Sequence, residues 1–166
     1  MGKNNDLARL SAAVREKKFD RLEEMLDWWT CCNYRDSLRE ESLLHIAHYA
    51  GTEMVEFLLR HGIDPNEQDE VGDTVMNYAA TENKVDEIRL LLAHGALVDL
   101  PNVHGEDAFS FACAWDSLEA AQLLFEAGSR MTWIKKNWSR DSLLKRSKHS
   151  PTPRIRDFLL DIWHEN

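Results

Sequence analysis

The sequence predicts an all-α solenoid of stacked helix pairs, on three observations. Glycine returns every 33 residues, at Gly62, Gly95 and Gly128. Each closes a similar phrase: Phe57-Leu58-Leu59-Arg60-His61-Gly62, Leu90-Leu91-Leu92-Ala93-His94-Gly95, and Leu123-Leu124-Phe125-Glu126-Ala127-Gly128. Upstream of each phrase lies a shorter apolar run at helical spacing, preceded by a residue able to cap it. A period of this size marks a stacked repeat, in which each unit buries its apolar face only against its neighbours. The functional question therefore becomes which partner, not which reaction.

At the N-terminus, residues 7–14 and 22–28 are amphipathic stretches that predict the two helices of an end unit, with Asp20 and Glu23 as a capping box for the second. Residues 31–41, from Cys31 to Glu41, form a polar segment longer than an inter-repeat turn, read as a binding loop or an insertion. In the first full repeat Ser42 caps a helix over residues 43–47, and residues 54–60 form its partner before Gly62. In the second, Thr74 caps residues 75–80, its hydroxyl accepting from a free amide of the first turn, and Asn83-Lys84 breaks the pattern. Residues 86–93 follow, with Ile88, Leu91 and Leu92 on one face. Asp86 and Glu87 there suit the positive end of the helix dipole, and Gly95 can take the left-handed conformation that ends the helix. In the third, Asp107 caps residues 108–112, and residues 119–126 precede Gly128. The linking segments 63–69 and 97–102 hold Pro65, Pro101 and several Asx residues, which favour hairpin-like turns. Residues 138–145 and 155–163 predict a last, degenerate helix pair, with Thr152 as N-cap and Pro153 in the first helical position. The expected organisation is one domain over residues 1–166, with end units at 1–40 and 131–166 around core repeats at 41–130.

These residues resemble the ankyrin repeat. The matching phrases are Asp69-Glu70-Val71-Gly72-Asp73-Thr74, Leu44-His45-Ile46-Ala47, Ala79-Ala80 and Gly95-Ala96-Leu97-Val98-Asp99. The family's proline after the threonine is replaced by Leu43, Val75 and Ala108, and its histidine survives only as His45, with Asn77 and Ser110 in the other copies. The repeat ending at Gly62 is one residue short between His45 and the glycine. The resemblance covers residues 35–130. It implies that His45 hydrogen-bonds neighbouring turns, and that partners are bound by the hairpin tips and the concave groove beside them. Fold alone does not fix function.

Charge separates the functional classes. The 166 residues carry a net charge of −9, but residues 41–130 alone hold 17 acidic side chains against 4 basic ones, a balance of −13. Such a field repels nucleic acid and steers a basic protein partner. Solubility is the plainer use of the same charge. No apolar run approaches the ~20 residues that cross a bilayer. The polar N-terminus lacks a signal sequence, so a cytoplasmic protein is expected. Cys31, Cys32 and Cys113 do not make a disulfide framework, and Cys113 falls on the buried face of a first helix as a core thiol. His45 and His48 with Cys31 and Cys32 lack the ligand spacing of a structural zinc site. No nucleophile elbow, phosphate-binding glycine loop or zinc-protease motif is present in the sequence. No cofactor, metal or catalytic residue is expected, and the chain is read as a non-enzyme.

The candidate binding residues follow. Of six tryptophans, Trp28, Trp29, Trp133, Trp138 and Trp163 lie toward the ends of the chain and suit plugs for the ends of the stack. Trp115 falls at the end of a first helix, on the groove side in the resembled family, and Tyr49 and Glu82 precede it at intervals of 33. Tyr49, Glu82 and Trp115 would make an aromatic and acidic stripe, since aromatic side chains anchor interfaces. The alternative packs Trp115 on the C-terminal end unit. The hairpin tips add Glu67, Glu70, Val71 and Asp73 from one repeat and Val103, His104 and Glu106 from the next. The expected partner is a basic protein, bound by a monomer, with no role for nucleic acid or membrane. An acidic chain of such repeats looks like an inhibitor, for example a bacterial immunity protein masking a toxin. A scaffold or regulatory adaptor is the second reading, and a metal-binding or enzymatic protein the remote third.

Overall fold

A computed structural model describes residues 3–31, 42–129 and 154–164 of the chain. Helices α1 (Lys3–Arg15) and α2 (Phe19–Cys31) form the first pair. Three pairs follow: α3 (Leu43–Ala50) with α4 (Thr52–Arg60), α5 (Val75–Thr81) with α6 (Val85–Ala93), and α7 (Ala108–Ala114) with α8 (Leu118–Glu126). Helix α9 (Arg154–His164) packs on α8. The first helices stack in the order α1, α3, α5, α7, and behind them α4, α6 and α8 stack likewise. Phe19 meets Phe57 edge-on at 5.2 Å, which ties α2 to α4. One core runs through the stack, from Leu10, Val14 and Leu22 through Leu44, Leu58, Met76, Leu91 and Phe109 to Leu124, Ile155 and Leu159. Each such side chain contributes roughly 1.5–3 kcal/mol by leaving water. Among the described residues, the strand-like pairing outside helices is one antiparallel bridge, Gln68 with Thr74.

Every helix expected within the described residues is present, each extended by one to several residues. The caps differ in detail. Ser42 caps α3 as expected, its Oγ accepting from the His45 amide at 3.4 Å. Asp107 makes a full capping box with Ser110: Oδ1 accepts from the Ser110 amide at 2.9 Å, and Ser110 Oγ accepts from the Asp107 amide at 3.0 Å. Thr74 occupies the N-cap position of α5, but its hydroxyl makes no capping bond. It donates to Asn77 Oδ1 at 2.8 Å. The Asp20–Glu23 capping box does not form: α2 begins at Phe19, so Asp20 already lies in its first turn. The 138–145 helix, the Thr152–Pro153 cap and residues 32–41 lie outside the described residues.

Burial raises the Asp107 carboxyl above the usual aspartate range, against the lowering effect of its bonds to Ser110. An acid whose folded value is raised favours folding most below the unfolded value of about 3.9, and that advantage is lost as pH rises through the folded value. Asp107→Asn keeps the cap and removes this titration. We therefore expect the ratio of variant to wild-type stability in urea melts to rise between pH 4 and neutrality. Asp107→Ala removes the cap as well and costs about 1 kcal/mol at pH 7.

Candidate functional site

The hairpins build one edge of the molecule. Asp69 shapes the first: its Oδ1 accepts from the amides of Val71 and Asp73 at 3.0 and 2.9 Å. Asn102 shapes the next in the same way, accepting from the amides of His104 and Glu106, both at 2.9 Å. The Val103 amide donates to the Val71 carbonyl at 3.0 Å, so one hairpin stacks on the other. Gln68 adds bonds to the carbonyls of Gly72 and Pro101 at 2.7 and 3.0 Å. Tyr78 on α5 donates to Asp69 Oδ2 at 2.9 Å, joining the hairpin row to the first helices. Burial and this acidic neighbour push the Tyr78 phenol well above its usual value.

Each candidate residue takes a definite place. Glu70, Val71 and His104 are exposed at the tips, and Glu67 and Glu106 are half-buried beside them. Val103, at 68% exposure, joins them as an apolar tip. Asp73 differs from a surface acid. Its Oδ1 accepts from Asn77 and Asn102 at 3.1 and 2.8 Å, and its carbonyl accepts from His45 Nε2 at 3.1 Å. Asp73 thus ties three successive repeats together, and His45 takes the turn-bonding role that the resemblance implied. Ser42 Oγ lies 2.6 Å from His45 Nδ1, which fixes the ring.

Tyr49 and Trp115 project into solvent, at 64% and 66% exposure. Their register is corrected by the helix bounds. Glu82 and Trp115 are both C-caps, of α5 and α7, and are equivalent. Tyr49 is the seventh residue of α3, as Thr81 is of α5 and Ala114 of α7. The missing residue in the first repeat shifts Tyr49 by one, which the raw interval of 33 conceals. Tyr49 still stands near the stripe, with its ring 6.3 Å from that of Tyr78 and 5.3 Å from that of His48.

Sequence reasoning missed the group beneath it. His48 is fully buried, and its Nδ1 bonds Glu87 Oε1, which is equally buried. Thr52 Oγ1 donates to Glu87 Oε2 at 2.9 Å. Glu87 lies in the first turn of α6, as expected, and also reaches across to α3 and α4 of the previous repeat. The signal lay in the columns. His48 is the sixth residue of its helix, where Ala80 and Cys113 stand in the next repeats, and all three are buried. Glu87 is the third of its helix, in the column of Met54 and Ala120. A polar residue in each of two apolar columns marks a buried pair. On the surface above, Glu82 Oε2 pairs with Lys84 at 2.8 Å, and that bond lowers the Glu82 carboxyl below its usual value.

Burial, with Asp107 nearby, pushes the Cys113 thiol far up, so it is a core thiol and not a nucleophile. Among the described residues, no three His, Cys, Asp or Glu side chains converge as metal ligands. No helix among them is long and apolar enough to cross a membrane.

The family model described as ankyrin repeats (3 copies) matches residues 10–100 and 43–132. The chain belongs to the ankyrin-repeat family. It is 33% identical over 79 residues to ankyrin repeat protein L92 of Acanthamoeba polyphaga mimivirus, covering 47% of this chain and 19% of that one. It is 36% identical over 80 residues to the E3 ubiquitin-protein ligase KEG of Arabidopsis thaliana, covering 48% of this chain but 5% of the ligase. It is 31% identical over 108 residues to ankyrin repeat domain-containing protein 37 of Mus musculus, covering 63% of this chain and 67% of that protein. The chain thus spans a small fraction of the first two relatives, and its likeness to the ligase is confined to repeats. Ankyrin repeats are protein–protein interaction modules, and the family is generally non-enzymatic.

Proposed function

We propose that this ankyrin chain is one domain, with end units at residues 1–40 and 131–166, that binds a basic protein in the cytoplasm as a monomer. Its binding face is the edge shared by the hairpin tips and the ends of the first helices: Tyr49, Glu67, Glu70, Val71, Glu82, His104, Glu106 and Trp115, with Asp73 holding the hairpin beneath. The observation that carries the proposal is the set of aromatic and apolar side chains exposed on this edge, within an acidic stretch of the chain. Residues 41–130 hold 17 acidic against 4 basic side chains, and Tyr49, Val71, Val103 and Trp115 remain exposed there. Exposed aromatic anchors in an acidic field suit a basic surface. Inhibition is the finer proposal. A basic cleft that binds a polyanionic substrate is the surface an acidic face covers best, as an immunity protein covers a toxin.

Capture of partners from the native lysate, at low and moderate salt, tests the face. Glu82→Lys combined with Glu106→Lys is expected to release a basic partner that wild type retains, and salt is expected to weaken the wild-type complex. Equal capture by the double variant would exclude this edge. The captured partner's own activity then separates the roles: suppression by added ankyrin chain marks an inhibitor, and unchanged activity marks a scaffold or adaptor.

A further inference from the structure

We propose that the first-helix side of the binding face takes a basic, proline-rich segment of the partner in the polyproline II conformation; this rests on the acidic-face reading above. Aromatic side chains line that side in register. Tyr78 and Phe111 are the fourth residues of α5 and α7, and both are half-buried. The Glu82 amide donates to the Tyr78 carbonyl and the Trp115 amide to the Phe111 carbonyl, each at 3.0 Å. Residues four apart share a helix face, so Trp115 stands over Phe111 as Glu82 stands over Tyr78. Tyr49 carries the row onto α3, with its ring 6.3 Å from that of Tyr78. Thr81 and Ala114, the seventh residues of α5 and α7, are small and leave the rings uncovered.

The spacing of this row selects the backbone of its ligand. Packed helices lie about 8–10 Å apart, so each repeat offers one aromatic step of that length. Polyproline II rises about 3.1 Å per residue with three residues per turn, so every third residue returns to the same side after about 9.3 Å. Three residues of an extended strand cover about 10 Å too, but the third then points to the opposite face. Two turns of an α-helix also match, at about 10.8 Å, yet its carbonyls are already bonded within the helix. Tyr49 and Trp115 carry a hydroxyl and an indole N–H on exposed side chains, and both groups donate. Polyproline II has no internal hydrogen bonds and leaves its carbonyls for such donors. Aromatic-lined grooves are the general docking surface for proline-rich segments. Charge sets the remaining positions of the segment. Tyr78 donates to Asp69, so the hairpin row runs along this strip. Glu70 is exposed in that row and Glu106 half-buried. Glu82 stands in the strip itself, paired with Lys84 and His48, so the hairpin carboxylates carry more of the attraction for arginine or lysine.

The test uses the full chain and fluorescein-labelled peptides of equal length, read by fluorescence anisotropy at low salt: repeats of Pro-Pro-Arg, of Gly-Gly-Arg and of Pro-Pro-Glu. Wild type is expected to bind Pro-Pro-Arg about tenfold more tightly than Gly-Gly-Arg, because the proline segment is ordered in advance and brings apolar rings to the strip. Tyr49→Ala combined with Trp115→Ala, both exposed positions, is expected to bring that ratio to about one. Leu97→Ala removes an exposed apolar side chain from the segment after α6 and is expected to leave the ratio unchanged. Pro-Pro-Glu is expected to bind at least about tenfold more weakly than Pro-Pro-Arg. A ratio near one in wild type, or one that survives the double variant, overturns the polyproline II strip and leaves the acidic face standing. Tighter binding by an equally charged amphipathic helical peptide, with leucine at heptad spacing, has the same meaning. Failure of both arginine peptides to bind, or equal binding of Pro-Pro-Glu, overturns the strip and the acidic face together.

Discussion

Glu87→Ala is expected to cost about 3–5 kcal/mol, the range for removing one partner of a buried pair. The change strands the buried His48 Nδ1 without its partner and removes the acceptor of the half-buried Thr52 hydroxyl, since both bond the Glu87 carboxylate. Because the pair joins α6 to α3 and α4, the loss falls on the interface between two repeats rather than on one helix. Stacked repeats draw their stability from such nearest-neighbour interfaces. Glu87→Gln keeps an acceptor for the ring and a donor for Thr52, and should cost about 1 kcal/mol. Urea unfolding of both variants reads the difference directly. A cost for Glu87→Ala below that of Glu87→Gln would show that the pair carries no structural weight.

Gly72→Ala is expected to cost about 2–5 kcal/mol, well above Gly95→Ala. Both glycines hold positive φ, 80° and 88°, and an L-residue pays about 1–2 kcal/mol for that conformation. Their surroundings differ. A Cβ on Gly72 would lie 3.0 Å from Asn102 Cα and from the Val103 nitrogen, both backbone atoms of the next hairpin. A Cβ on Gly95 meets nothing within 4 Å. Gly72 therefore adds an overpacking term of about 1–3 kcal/mol and pushes apart the stacked hairpins joined by the Val103–Val71 bond. The same urea series measures both, and near-equal costs would mean that the hairpins do not stack this closely.

The period of 33 and the phrases ending in glycine make the solenoid legible from residue order alone, because stacking requires each unit to present the same apolar columns. Ser42 and Asp107 are legible as caps for the same reason: their place before each apolar run leaves little else for the side chain to bond. Thr74 holds the N-cap position of α5 but turns its hydroxyl to the Asn77 side chain three residues on, a local partner that composition does not rank. Asp73 is legible as an acid but not as a strut, since its partners Asn102 and His45 sit 29 and 28 residues away. The His48–Glu87 pair spans 39 residues and two layers, and only alignment of helix positions exposes it. Tyr49 shows the cost of counting by a fixed interval where one repeat is short. The exposed tips and the tyrosine cluster are visible as residue types, but their gathering on one edge depends on the hairpins stacking.

Amide hydrogen exchange of the chain, alone and with its captured partner, tests the binding face most directly. New protection is expected at residues 67–73, 78–82, 103–106 and 115, with helices α4, α6 and α8 unchanged. Protection confined to α4, α6 and α8, or to residues 32–41, would contradict a binding face on the hairpin edge.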